Sequence, residues 1–116
     1  MNPVLNQIGG VFIPVSNIEN ARDWYCDILG LPVDGEILFG HLYVLPMKGP
    51  DIVLDSKIYA EDKIYKVPAF QLSTNDIHQS YEFMRAKQVQ ITTVIEHNKW
   101  FNFKDPDGNL LMVCKS

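Results

Sequence analysis

The chain has 116 residues, 47% hydrophobic and 21% charged, with a net charge of −4 and a pI of about 5.2. That is enough chain for one domain with a sizeable core, and an acidic balance without any Lys/Arg run excludes a nucleic-acid partner, just as the lack of an apolar run near ~20 residues excludes a membrane span. Residues 1–7 lack the basic and apolar regions of a signal peptide, and Cys26 and Cys114 form no metal-type pair, so the expectation is a cytoplasmic protein with two reduced thiols.

Residues 8–15 are short, β-branched and apolar, bounded by Gly9-Gly10 and Ser16-Asn17, and predict a strand. Asn17 is placed to cap a helix, because its side-chain oxygen can take an orphan N–H of the first turn. Ala21, Trp24, Ile28 and Leu29 then recur at helical spacing, which puts Trp24 under the sheet, and Gly30 and Pro32 end the helix. Segments 33–39, 42–47 and 51–54, punctuated by Gly40 and Lys48-Gly49-Pro50, predict hairpin-linked strands. Residues 55–66 show no strong periodicity and read as an exposed linker, with Ile58, Tyr59, Ile64 and Tyr65 as its apolar members.

The second half repeats the plan. Residues 67–73 predict a strand, and Asp76 followed by Gln79 resembles a capping box. Ile77, Ser80, Tyr81 and Met84 share one helix face, and 91–95, 100–104 and 109–114 predict strands. Asp105-Pro106-Asp107-Gly108-Asn109 is a tight turn, in which Pro fixes φ and Gly takes positive φ without steric cost. A shift of 59 positions lays Ile18 on Ile77, Asp23 on Glu82, Trp24 on Phe83, Gly49 on Gly108 and Asn17 on Asp76. The expectation is therefore one domain of two β-α-β-β-β modules, about 8–54 and 67–114, joined by 55–66.

Residues 8–15, then Asn17-Ile18-Glu19-Asn20-Ala21, Trp24-Tyr25 and Leu29-Gly30-Leu31, resemble the opening of the vicinal oxygen chelate superfamily. That group holds glyoxalase I, the bleomycin- and fosfomycin-resistance proteins and the extradiol dioxygenases. Phe103-Lys104-Asp105-Pro106-Asp107-Gly108-Asn109-Leu110-Leu111 resembles its closing hairpin, and the likeness covers roughly residues 8–114. It implies an α+β fold in which two βαβββ modules curl into a half-open barrel around a cavity. It also implies a homodimer, in which modules of both subunits line each cavity in many small members.

Family enzymes place a metal ligand near the middle of the first strand and another on the last strand of each module. In this chain those positions fall at Gly10, Ala69, Val53 and Met112. Three of these lack a donor atom, and a thioether is a poor partner for hard divalent ions. No metal site and no cofactor are expected at the family positions.

Other residues are candidates for a ligand site. Strand alternation sets Trp100, Asn102 and Lys104 on one face and Phe101 and Phe103 on the other, and the geometry the resemblance implies makes the first face concave and puts the second under the helix. Trp100 offers a stacking surface with an N–H donor, or alternatively covers the core or a dimer contact. The 59-residue shift pairs His41 with Trp100 and Tyr43 with Asn102. His41 is then a ligand-binding or acid–base histidine, or else a rim residue at a strand start. Tyr43 supplies a hydroxyl handle and Met112 an adaptable floor. Asp55 shares the face of Val53 at the cavity mouth, or else is a turn residue. His97 and His78 read as exposed, Cys114 shares the face of Met112 near the chain end, and Asp105 and Asp107 read as turn residues.

Two function classes remain. One is a metal-free binding protein of the bleomycin-resistance type, whose ligand is a small, partly aromatic, cation-compatible molecule held by His41, Tyr43, Trp100, Asn102, Met112 and Asp55. The other is a glyoxalase-like lyase or isomerase with an off-pattern divalent metal through His41, Asp55 or His97.

Overall fold

The computed structural model describes residues 2–115. The chain divides into two compact units, the first ending at Ile58 and the second beginning at Tyr59. The first unit contains β1 (Gly10–Pro14), α1 (Ile18–Leu29), β2 (Leu42–Leu45) and β3 (Asp51–Asp55). Its sheet runs β1-β3-β2, with β1 parallel and β2 antiparallel to β3. Asn17 Oδ1 caps α1 by accepting the Asn20 N–H at 2.9 Å, and Gly30, at φ 66°, closes it by donating its N–H to the Cys26 carbonyl. The helix packs over β2 and β3. Ile18, Ala21, Tyr25, Cys26 and Ile28 are its buried residues, beside Ile13, Tyr43, Leu45, Ile52 and Leu54 of the sheet.

Two sequence expectations fail in this unit. Trp24 does not go under the sheet: Tyr25 takes the buried position at 1% exposure, and half-buried Trp24 lies edge-on to it at 4.8 Å. Both residues lie within a 3-to-4 step of Ala21, so periodicity alone did not separate them. Residues 33–39 are not a strand and keep only a bridge from Leu38 to Leu42. The Gly35 N–H is spent on the Tyr43 hydroxyl at 3.2 Å instead of a neighbouring strand. Phe39 (φ 53°) and Gly40 (φ 76°) then turn the chain within two residues.

The second unit carries the full plan: β4 (Gln71–Thr74), α2 (Ile77–Ala86), β5 (Gln90–Ile91), β6 (Trp100–Lys104) and β7 (Leu110–Lys115), in sheet order β4-β7-β6-β5. Asp76 Oδ1 caps α2 through the Gln79 N–H at 3.0 Å, while the Asp76 N–H is taken by Thr74 Oγ1 at 3.1 Å. The helix packs over β7 and β5, burying Ile77 and Met84, and Tyr81 meets Phe101 edge-to-face at 5.3 Å. β4 starts at Gln71 instead of 67, since Pro68 has no N–H to give a ladder. β5 stops at Ile91 because Thr93 Oγ1 accepts the Asn102 N–H at 2.9 Å, in place of a ladder carbonyl.

The 105–109 turn is knit by one carboxylate. Asp105, 3% exposed, accepts the Asp107 and Asn109 N–H groups on Oδ1 and the Asn109 amide on Oδ2. Gly108 supplies the required φ of 89°. Asn109 Oδ1 in turn accepts the Tyr65 N–H at 2.9 Å, and the Leu110 N–H goes to the Tyr65 carbonyl at 3.0 Å. The 55–66 stretch is therefore tied down at its end, and Asp55 at its start is the last residue of β3, 5% exposed. Together the elements form an α+β fold of two βαβββ modules, the first with its second strand reduced to a bridge.

The repeat is real, but its spacing changes along the chain. It is 59 at the helix caps, Asn17 and Asp76, and in the parallel pairs, where Phe12 opposite Val53 matches Gln71 opposite Met112. Between those it drops to 58. The Leu31 N–H to Cys26 bond matches that of Val89 to Met84, and the Leu38–Leu42 bridge matches Glu96–Trp100. The helix end of the second module is one residue shorter, and its last hairpin is one residue longer: Phe103 opposes Leu111, where Leu45 opposes Ile52.

Candidate functional site

Each sheet has one face under its helix and one turned away. In the second unit the outward-turned row of β6 is Trp100, Asn102 and Lys104, half-buried, while Phe101 and Phe103 are fully buried on the helix side, as the alternation predicted. β7 sets Cys114, Met112 and Leu110 opposite them. Asn102 thus sits directly across from Met112, and Gln71 of β4 flanks Met112 on its other side. Trp100 lies two residues from Asn102 on the same face, and the ring of exposed His97 approaches its indole to 5.0 Å. Asn102 Oδ1 is buried and has no hydrogen-bond partner among the described residues. His78 is exposed and bonds to Asn98 Oδ1 at 3.2 Å.

In the first unit the corresponding row is Phe12, Val53 and Val44, with Phe12 49% and Val44 36% exposed. Asp55 follows Val53 on that face, and His41, one residue before β2, reaches it with Nδ1–Oδ1 at 2.8 Å. The same Oδ1 accepts the Lys57 N–H at 2.9 Å.

Tyr43 does not belong to this row. It is 2% exposed, on the face that carries Leu45 and Leu54, under α1. Burial pushes its phenol pKa up, against the lowering effect of the Gly35 N–H. Neighbouring Cys26 is likewise raised by burial, partly offset by its contact with Tyr43. The 58-residue spacing explains the misplacement: the counterpart of Asn102 is Val44, that of Phe101 is Tyr43, that of Trp100 is Leu42, and that of His41 is Lys99.

The candidate residues therefore divide by unit. His41 and Asp55 are joined in the first; Trp100, Asn102 and Met112 share one face of the second. Phe12, Val44 and Gln71 lie on the same faces and were not singled out in the sequence. The first-strand signal was there, since Phe12 and Gln71 are two residues past Gly10 and Ala69 and so alternate onto the same face.

Whether the family positions can hold a divalent metal depends on their donor atoms. A side chain at Gly10 would meet Val53 Cγ2 at 3.6 Å, so these two positions are adjacent as a ligand pair requires. Neither supplies a donor, Ala69 supplies none, and Met112 offers only sulfur. The residues do not fit the metal. Among the described residues no three or more His, Cys, Asp or Glu side chains gather as ligands, and no helix is long and apolar enough to cross a membrane.

The model of the Glyoxalase/Bleomycin resistance protein/Dioxygenase superfamily matches residues 5–113. Three similar solved structures are an antibiotic-binding protein from a Streptomyces species, a lactoylglutathione lyase from Agrobacterium tumefaciens and a superfamily member from Sphaerobacter thermophilus. The first is 20% identical, covering 98% of each chain, with a TM-score of 0.77. The lyase is 18% identical over 99% of this chain and 96% of its own, at 0.71. The third is 21% identical over 97% and 98%, at 0.72. At these identities the likeness establishes the fold. Comparison with curated proteins gives no match.

Proposed function

The chain belongs to the glyoxalase/bleomycin resistance protein/dioxygenase superfamily, and from that premise we propose that it is a small-molecule-binding protein of the bleomycin-resistance type that works without the family metal. The observation that carries this reading is the buried, unpartnered Asn102 Oδ1 on the face it shares with Trp100 and Met112. A buried acceptor left unpaired costs about 1–3 kcal/mol. A ligand N–H or O–H delivered to it removes that cost. Trp100 adds a flat stacking surface and Met112 a soft, adaptable contact. The ligand class is a planar molecule with a hydrogen-bond donor, and the net charge of −4 favours a cationic one.

Similarity to an antibiotic-binding protein supports this class of function. Similarity to a lactoylglutathione lyase favours the alternative, a glyoxalase-like enzyme, but the donors that such a metal enzyme needs are missing at Gly10, Val53, Ala69 and Met112. The reading includes a cytoplasmic homodimer, with edge strands β2 and β1 of one sheet and β4 and β5 of the other available for pairing.

The test uses 9-aminoacridine, a planar cation with amino N–H donors. Titration should quench tryptophan fluorescence saturably. Trp100→Phe should remove most of the change, and Trp24→Phe should preserve it. Quenching that survives in Trp100→Phe, or metal-dependent turnover of a glutathione hemithioacetal, overturns the reading.

A further inference from the structure

His41 and Asp55 make a contact that the fold does not require. Asp55 is 5% exposed, and its Oδ1 receives both the Lys57 N–H and His41 Nδ1, at 2.9 and 2.8 Å. An oxygen already accepting one N–H takes the ring nitrogen as a second donor. The neutral imidazole then carries its lone pair on Nε2. No described residue hydrogen bonds to Nε2, and the side chain is 25% exposed.

The internal repeat acts as a control. The Ser56 N–H donates to the His41 carbonyl at 3.0 Å, and the Lys115 N–H donates to the Lys99 carbonyl at 2.7 Å, closing the same hairpin in both modules. The side chains at the positions equivalent to His41 and Asp55 are Lys99 and Cys114, and the second hairpin forms without any such pair. Beside His41, Phe39 is held at φ 53° with its ring 6.4 Å away and is 85% exposed. The positive φ of Phe39 belongs to the hairpin turn, since its counterpart His97 has φ 51°, but the ring it sets beside His41 is particular to this module. Phe12, Val53 and Val44 extend an apolar row from Asp55 along the same sheet face.

The geometry points to the His41–Asp55 pair as a proton-accepting dyad for a weakly acidic aromatic hydroxyl, a site separate in its residues from the ligand face of β6 and β7. The phenol O–H bond breaks and its proton passes to His41 Nε2. The resulting imidazolium lies between the phenolate and the Asp55 carboxylate, so charge balances and no co-reactant is needed. His41 is the base; Asp55 is a positioning residue that fixes its tautomer.

Two measurements test this. Nitrogen NMR of the free protein should show His41 protonated at Nδ1 and bare at Nε2, and Asp55→Ala, which removes the accepting oxygen, should abolish that preference. Second, 4-nitrophenol held below its own pKa should develop the phenolate absorbance on binding. His41→Gln and Asp55→Asn should lose that band while melting as the parent does, and Trp100→Phe and Asn102→Leu should keep it. An Nε2-protonated His41, a probe that stays a phenol when bound to Asn102→Leu, whose β6–β7 face lacks its acceptor, no binding at all, or a band retained in His41→Gln overturns the dyad. None of these outcomes bears on the acridine titration, so the two readings can fail separately.

Discussion

Asn102 stands directly across β6 and β7 from Met112, with its Oδ1 buried and bonded to no described residue. Such an atom weakens the empty protein and strengthens a complex that satisfies it. Asn102→Leu, which removes the acceptor at similar shape, should raise unfolding stability by about 1 kcal/mol in the absence of ligand. Urea denaturation checks this. A loss of stability would mean that the amide has a structural role in the sheet.

The closing turn should behave as structure and not as site. Asp105→Ala strips three acceptor contacts from Asp107 and Asn109, leaving buried donors unpaired. The expected loss is about 2–3 kcal/mol in denaturant unfolding, with acridine affinity unchanged under folding conditions.

Tyr43 gives an alkaline signature. Burial raises its pKa, and Tyr65 is raised for the same reason. A raised phenol pKa means the fold holds the proton more tightly than the unfolded chain does. The associated stability is complete below the unfolded value of about 10 and declines as pH rises past it. Tyr43→Phe should cost about 1 kcal/mol at neutral pH, through loss of the bond its hydroxyl accepts from the Gly35 N–H, and should flatten the decline above about pH 10. Unfolding curves across that range check it; an unchanged slope counts against a buried, neutral Tyr43.

Assembly is open to direct measurement. Sedimentation equilibrium at micromolar concentration should return twice the 13.3 kDa chain mass. A monomer would remove the homodimer from the account.

Much of this was legible in the sequence. Asn17, Asp76 and Gly30 announced their caps, and the alternation of 100–104 fixed which side of β6 carries Trp100 and Asn102. The Asp105-to-Asn109 turn was readable from Pro and Gly chemistry alone. What failed was spacing. A repeat read at a constant 59 hid one residue lost at the end of α2 and one gained in the last hairpin, and a one-residue slip moves a strand side chain to the other face. That slip sent Tyr43 to the wrong side and paired His41 with Trp100 instead of Lys99. The contact of His41 with Asp55 could not be read from sequence, because it joins residues 14 apart through a tertiary bend, and no local pattern marks an orphaned Asn102 Oδ1.

The most direct test of the central claim compares 9-aminoacridine affinity in the parent protein and in Asn102→Leu, read by Trp100 quenching. Losing one satisfied buried hydrogen bond predicts about tenfold weaker binding in a variant that unfolds at higher denaturant than the parent. Equal affinity in the two proteins would contradict the account, because the buried Asn102 acceptor would then take no part in holding a ligand.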